Sequence, residues 1–173
     1  QCIMYKKGEV GMDYDEKELS IITEAKRLSE YIFKATQNAP QKFRFSLIGK
    51  MQLIALDIVD TLYEANDVFV ENKLIKDLEK SIAYEEKNNK NPEKLLNLKL
   101  TRAIQLNNRV ELRLEKQYKV KTFIKKLEHL ITIAAEMNCI KVNQREVMAE
   151  HIKNIRKLLN AWIKSDKKRY GYD

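Results

Sequence analysis

Few residues in this chain are of a type and spacing that could do acid–base or metal chemistry. The two histidines, His129 and His151, each follow a glutamate, Glu128 and Glu150. Adjacent residues on a helix point to different sides, so the repeated Glu-His dipeptide is not a ligand pair. A two-metal site inside a helical bundle uses Glu-x-x-His on paired helices. Here the residues three before the histidines are Lys126 and Met148, so the pattern fails and no metal or other cofactor is expected. Asp57, Asp60 and Glu64 share one helix face, which reads as the polar edge of an amphipathic helix or as salt-bridge partners for basic neighbours. Gly49 stands alone, so no Gly-rich phosphate loop exists, and no serine sits in a nucleophile elbow. Without a catalytic set, the expectation is a protein that is not an enzyme. Two cysteines, Cys2 and Cys139, make no disulfide framework and are read as plain thiols of a reducing cytosol, hence a cytoplasmic location.

The basic residues carry the strongest functional signal. Residues 1–100 hold 16 Lys/Arg against 17 Asp/Glu, while residues 101–173 hold 17 against 8. The whole excess of the +8 chain therefore lies in its C-terminal part. Such asymmetry points to a polyanionic partner, RNA or DNA, or to an acidic protein face; a merely solvated helix surface is the alternative. Arg102, Arg109, Arg113 and Lys116 recur at helical steps and form one polar stripe. Lys153, Lys157 and Lys164 form another with Arg156 beside them, and Lys167, Lys168 and Arg169 extend it. Phosphate contacts need spaced cations and carry no sequence information. Tyr170 and Tyr172 could stack on bases, but tail aromatics are commonly without such a role.

These residues must be positioned by helices. Gly (4) and Pro (2) are scarce, and no apolar run is long enough to cross a bilayer, so no membrane is expected. Ile21, Ala25, Leu28, Ile32 and Ala35 share a face of a first helix over about Asp13–Gln37. Asp13, Asp15, Glu16 and Glu18 suit the positive end of its dipole. A second helix is expected from a Ser46 cap to about residue 66, with Ile48, Met51, Ala55, Ile58, Leu62 and Ala65 as its stripe. Leu53 and Leu56 widen that stripe, which predicts burial by more than one neighbour. Over 67–92 the helix either continues or restarts before EEKNNKNPE, a turn or mobile tip.

A long third helix spans about Pro92–Met137, with Leu96, Leu100, Ala103, Leu106, Val110, Leu114 and Tyr118 leading its stripe. Its phase slips near Lys119–Lys121, which predicts a bend or break. Asn143 and Glu146 fit a capping box for a fourth helix over about Gln144–Ser165. The fold expected is all-α: an antiparallel up-and-down four-helix bundle over residues 13–166, with an extended helix 2–helix 3 hairpin. Residues 1–12 are read as an extension or cloning remnant, and residues 167–173 as a basic tail.

Two blocks bring a family resemblance. RFSLIGKMQLIALDIVDTLYEAN (44–66) resembles the second helix of the Avd-like four-helix bundle proteins. These are the accessory variability proteins of diversity-generating retroelements, related to small bundles encoded in intervening sequences of bacterial ribosomal RNA genes. HIKNIRKLLNAWIKS (151–165), with Ile-x-x-Leu-Leu-x-x-Trp-Ile from Ile155 to Ile163, resembles the family's closing helix. The Pro-x-x-x-Arg-Phe from Pro40 to Phe45 is also similar, and the resemblance spans residues 20–66 and 95–166. It implies a ring-like homopentamer without enzymatic activity that binds a reverse transcriptase and nucleic acid, supporting mutagenic copying of a template RNA. Residues 67–94 exceed the family's usual hairpin. The alternative is a structural or protein-interaction bundle of the ribosomal-RNA intervening-sequence type, with no RNA role.

Overall fold

The computed structural model describes residues 19–88 and 91–171. Cys2, Tyr172, the acidic start of the first helix and the N-terminal extension lie outside the described residues. Those described form an all-α fold: α1 (Ser20–Ala35), α2 (Gln41–Phe43), a π-helical stretch (Arg44–Ile48), α3 (Gly49–Asn66), α4 (Lys73–Asn88), α5 (Pro92–Glu136) and α6 (Val142–Tyr170).

Four helices close a ring around one core. α1 packs on α3 and α6, and α5 packs on the same two. The interior holds Ile22, Leu28 and Ile32 from α1, Met51, Ile58 and Leu62 from α3, Ile124 and Leu127 from α5, and Met148, Ile152 and Ile155 from α6. Each such side chain contributes about 1.5–3 kcal/mol by leaving water, which is how an amphipathic stripe becomes a fixed helix orientation. Polar contacts follow the same pairing. Gln52 Nε2 donates to Thr36 Oγ1 at 2.9 Å, joining the start of α3 to the end of α1. Lys116 Nζ donates to Glu64 Oε2 at 2.7 Å between α5 and α3, and Arg156 meets Glu128 at 2.6 Å between α6 and α5.

Several local expectations change. The second helical run starts at Gln41, directly after Pro40, whose fixed φ already suits a helix entry. Ser46 therefore lies inside the run rather than capping it. There the ladder widens: the Gly49 N–H reaches the Arg44 carbonyl five residues back. A Cβ at position 49 would sit 3.2 Å from that same oxygen. α3 does pack on two neighbours, α1 and α5, but Leu53 is 58% exposed and Leu56 42%, so among the described residues neither helix covers them. The chain breaks after Asn66 and restarts as α4, where the Ile75 N–H is capped by Asn72 Oδ1 at 3.1 Å.

α5 is one unbroken helix through Lys119–Lys121. Its buried line runs Val110, Leu114, Gln117, Val120, Ile124, Leu127, Ile131, Ala134, in steps of three and four. Gln117, a polar residue at a core register, hides that continuity from hydrophobicity alone. Leu96, Leu100, Ala103 and Tyr118, expected on the buried stripe, are exposed instead. Asn91 caps the helix by accepting the Lys94 N–H at 3.0 Å, with Pro92 in the first turn.

After α5 the chain reverses through Asn138, whose positive φ of 55° places it in the left-handed region Asn tolerates. Cys139 and Ile140 are then buried beneath the turn. α6 begins earlier than the Asn143–Glu146 pattern implies. Its cap position is Lys141, whose N–H donates to Gln144 Oε1 at 2.8 Å. Only this half of a capping box forms, because an ammonium group has no acceptor to return. α6 also runs on past Ser165 to Tyr170 and ends at Gly171, φ 73°. Residues 167–170 are thus the last turn of a helix.

On the α1–α6 seam, His151 Nδ1 lies 2.9 Å from Glu24 Oε1, with Asn154 and Arg27 also on that carboxylate. Burial pushes the Glu24 carboxyl up, but those hydrogen bonds and the charges of His151 and Arg27 outweigh it, leaving the pKa below the ordinary 4.5. A lowered folded pKa stabilises above the ordinary carboxylate range and stops doing so as pH falls through the folded value. Glu24→Gln should therefore lower the melting temperature at neutral pH. The gap between wild type and variant should close on acidification through that range, as thermal melts against pH would show.

Candidate nucleic-acid interface

The eleven cations expected to meet a polyanion fall into two groups once the helices are in place. One group is turned inward or answered within the chain. Arg102 lies on the part of α5 that pairs with α4, and its Nε donates to Glu79 at 2.9 Å. Lys116 is held by Glu64; that hydrogen bond keeps the Glu64 carboxyl below its ordinary value despite partial desolvation. Arg156 is paired with Glu128 and Lys153 with Glu150, the latter one turn away on the same helix. Exposed pairs of this kind are worth about 0–1 kcal/mol, so they attenuate a charge more than they fix a structure.

Arg113 differs from these. Its Nε is 3.0 Å from Asp166 Oδ2, and both side chains are mostly buried. The N–H is not aimed along that line, so the contact is an ion pair rather than a good hydrogen bond. Gln117 Nε2 donates to the same Oδ2 at 2.6 Å, and the Arg113 guanidinium lies 5.1 Å from the Trp162 ring. Arg113 Nη1 also reaches the Val68 carbonyl at 3.5 Å. Arg109, one turn earlier and half-buried, has a buried Nε without a hydrogen-bond partner among the described residues. Together these groups form a polar junction at the end of the core, tying α5, α6 and the α3–α4 connection. Neither Asp166 nor Gln117 was anticipated from composition or motif. Their signal was positional: Asp166 continues the Met148, Ile152, Ile155, Leu159, Ile163 register, and Gln117 continues that of Val110 and Leu114.

The second group lies on α6. In line with the paired Lys153, the lysines Lys157, Lys164 and Lys168 follow at steps of four and seven on one exposed face, with Asn160 between them. Lys157, Lys164 and Lys168 have no ion pair among the described residues. At about 1.5 Å rise per residue the stripe is about 22 Å long. Lys167 is half-buried on its flank, and Arg169 sits over the Tyr170 ring with 5.9 Å to the centroid. Because α6 stays helical to Tyr170, Lys168 is held in line with Lys164 rather than in a loose tail.

Beside the stripe, Ser20, Thr23, Glu24, Arg27, Asn154 and Lys157 line an open hollow between α1 and α6. No group of three or more His, Cys, Asp or Glu among the described residues could hold a metal ion. Cys139 is a free, buried thiol whose pKa is raised by burial, partly countered by Lys42. No helix among the described residues is long and apolar enough to cross a membrane. No family model matches the sequence, and no curated protein is significantly similar to it.

Removing one partner of a buried pair strands the other charge. Arg113→Ala should cost about 3 kcal/mol, a fall of about 6–12 °C in melting temperature for a chain of this size. Lys164→Ala, on an exposed and unpaired residue, should change it by no more than about 0.5 kcal/mol. Calorimetry of the two variants checks the division between junction and surface cations.

Proposed function

We propose that this chain is a non-enzymatic accessory protein that binds nucleic acid through the outer face of α6 and works beside a reverse transcriptase. The observation that carries the nucleic-acid part is the line of Lys157, Lys164 and Lys168, exposed and without ion pairs among the described residues. A rigid row of unneutralised ammonium groups suits a phosphate backbone, where release of counterions drives binding without any base readout. The reverse-transcriptase part, with mutagenic copying of a retroelement template RNA, rests on the resemblance of residues 44–66 and 151–165 to the Avd-like proteins.

The closed packing of α1, α3, α5 and α6 supports reading the fold as an antiparallel up-and-down four-helix bundle with an extended hairpin. A cytoplasmic location and a ring-like homopentamer belong to the same proposal. The exposed Phe45, Leu53 and Leu56 on and just before α3 would give such a ring an apolar surface.

The second reading is a protein-interaction bundle with no RNA role. It is favoured by the extent of internal neutralisation: Arg102, Arg113, Lys116 and Arg156 all face carboxylates of their own chain. That leaves fewer cations for a polyanion than the count in the sequence implies.

Binding to a structured RNA across a salt titration separates the two. The first reading requires affinity that falls steeply as salt rises. Lys157→Ala, Lys164→Ala and Lys168→Ala together should lower affinity and reduce the log–log salt slope by about 2–3, one phosphate per lysine. Arg102→Ala should leave both unchanged. No binding near physiological salt would favour the protein-interaction reading.

A further inference from the structure

Two contacts fix how α5 and α6 lie against each other. Gln117 meets Asp166, and Glu128 meets Arg156. The helices are therefore antiparallel here, with Lys121 level with Ile163 and Lys125 level with Leu159. The Glu128–Arg156 pair also marks the edge where the seam between the two helices opens to solvent. At about 100° per residue, Lys121, Lys125 and Tyr118 lie within about 80° of Glu128 on its outer side. Lys167, Asn160 and Lys164 lie within about 80° of Arg156 on its outer side. The two sets flank one surface groove.

That groove is basic from both walls. From Lys116 to Leu127 α5 holds five lysines and no carboxylate. From His151 to Tyr170 α6 holds one carboxylate, Asp166, which is buried against Arg113 and Gln117. Glu115, exposed one turn before Lys119, and Glu128, already paired with Arg156, bound the stretch. The ion pairs that join α5 to α6 are Arg113–Asp166 and Arg156–Glu128. Lys121, Lys125, Lys164 and Lys167 take part in none among the described residues. Lys119 and Lys126 belong to the other side of α5, where they lie 5.7 and 5.6 Å from the centre of the Phe123 ring.

One aromatic ring stands among these cations. Tyr118 is 43% exposed, and the Lys121 ammonium lies 5.4 Å from its ring centre. Lysines alone meet a phosphate backbone whether the strand is paired or not. A ring adds a surface on which a base can stack, and bases are available for that where they are unpaired. A duplex keeps its bases stacked on one another and offers such a groove its phosphates alone.

We infer that the α5–α6 groove is a binding site for single-stranded RNA, with Lys121, Lys125, Lys164 and Lys167 on its phosphates and Tyr118 stacked on a base. The site rests on the nucleic-acid role proposed for α6 and extends it onto α5. It uses none of the apolar residues assigned to the ring.

The test uses the full chain and fluorescence anisotropy with a short unstructured RNA strand, alone and annealed to its complement, across a salt titration. Wild type should bind the single strand more tightly than the duplex. Tyr118→Leu should weaken single-strand binding at least about fivefold at every salt concentration. It should leave the log–log salt slope and the duplex affinity unchanged, because the ring carries no charge. Tyr118→Phe keeps the ring and should bind as wild type does. Lys121→Ala with Lys125→Ala should reduce the single-strand slope by about 1.4, two phosphates released. Wild-type affinity for the single strand in folded Tyr118→Leu, or an equal loss for strand and duplex, would overturn the groove. In either case a loss of binding in the Lys157, Lys164 and Lys168 variant would leave the α6 reading standing. Duplex bound as tightly as single strand by wild type would also overturn the groove, and wild type that binds neither would overturn both readings.

Discussion

Everything in this fold is arranged around the continuity of α5. Its 45 residues rise about 1.5 Å each, a rod of about 68 Å, whereas the 16 residues of α1 reach only about 24 Å. No ring of shorter helices can cover such a rod from end to end. One portion is therefore buried by α3 and α6, and the other is left to α4. The helix stays whole because its interior contains neither Gly nor Pro. Its start is fixed by Asn91 and Pro92, and its end by the left-handed turn at Asn138. α5 is thus both a wall of the core and the support of α4.

The polar junction marks where the core ends along that rod. A buried carboxylate such as Asp166 is tolerable only with partners, and Arg113 and Gln117 supply them. The same Arg113 reaches Val68 and lies against Trp162, so α5, α6 and the connection into α4 are tied at one level. The electrostatic consequence is that Arg113 serves its own fold. A cation committed to a buried carboxylate cannot also serve as a free contact for phosphate. The helical end of α6, held at Asp166, instead keeps Lys164 and Lys168 in one row.

Charge is consequently sorted by helix. Carboxylates on α3, α4 and α5 meet Lys116, Arg102 and Arg156, while Lys157, Lys164 and Lys168 on the outer face of α6 have no ion pair among the described residues. A net balance computed along the chain cannot see this sorting, because the answering acids lie far away in sequence. Glu64 is 52 residues from Lys116, and Asp166 is 49 from Gln117. Near its start α5 is sparsely charged: between Leu95 and Asn108 its two charged residues, Lys99 and Arg102, pair with Glu86 and Glu79 of α4.

The stripes of α1, α3 and α6 were legible in the sequence because each helix buries one face continuously, so Leu28, Met51, Ile58 and Ile155 announce themselves by spacing. The turn-formers Pro40 and Pro92 likewise act locally and mark helix ends wherever the chain goes, whereas the stop at Gly171 was missed. The path of α5 was less legible, since Gln117 occupies a core position and Leu96 and Leu100 stand outside the core. The sequence by itself determined the all-helical class, most of the core register and the basic excess of the C-terminal part, all of which depend on neighbours within a turn or two. Tertiary structure alone decided which cations are free, that Asp166 is buried, and that Leu53, Leu56, Leu96 and Leu100 face outward. Those outcomes depend on which surfaces meet across long sequence separations, and no local periodicity encodes that.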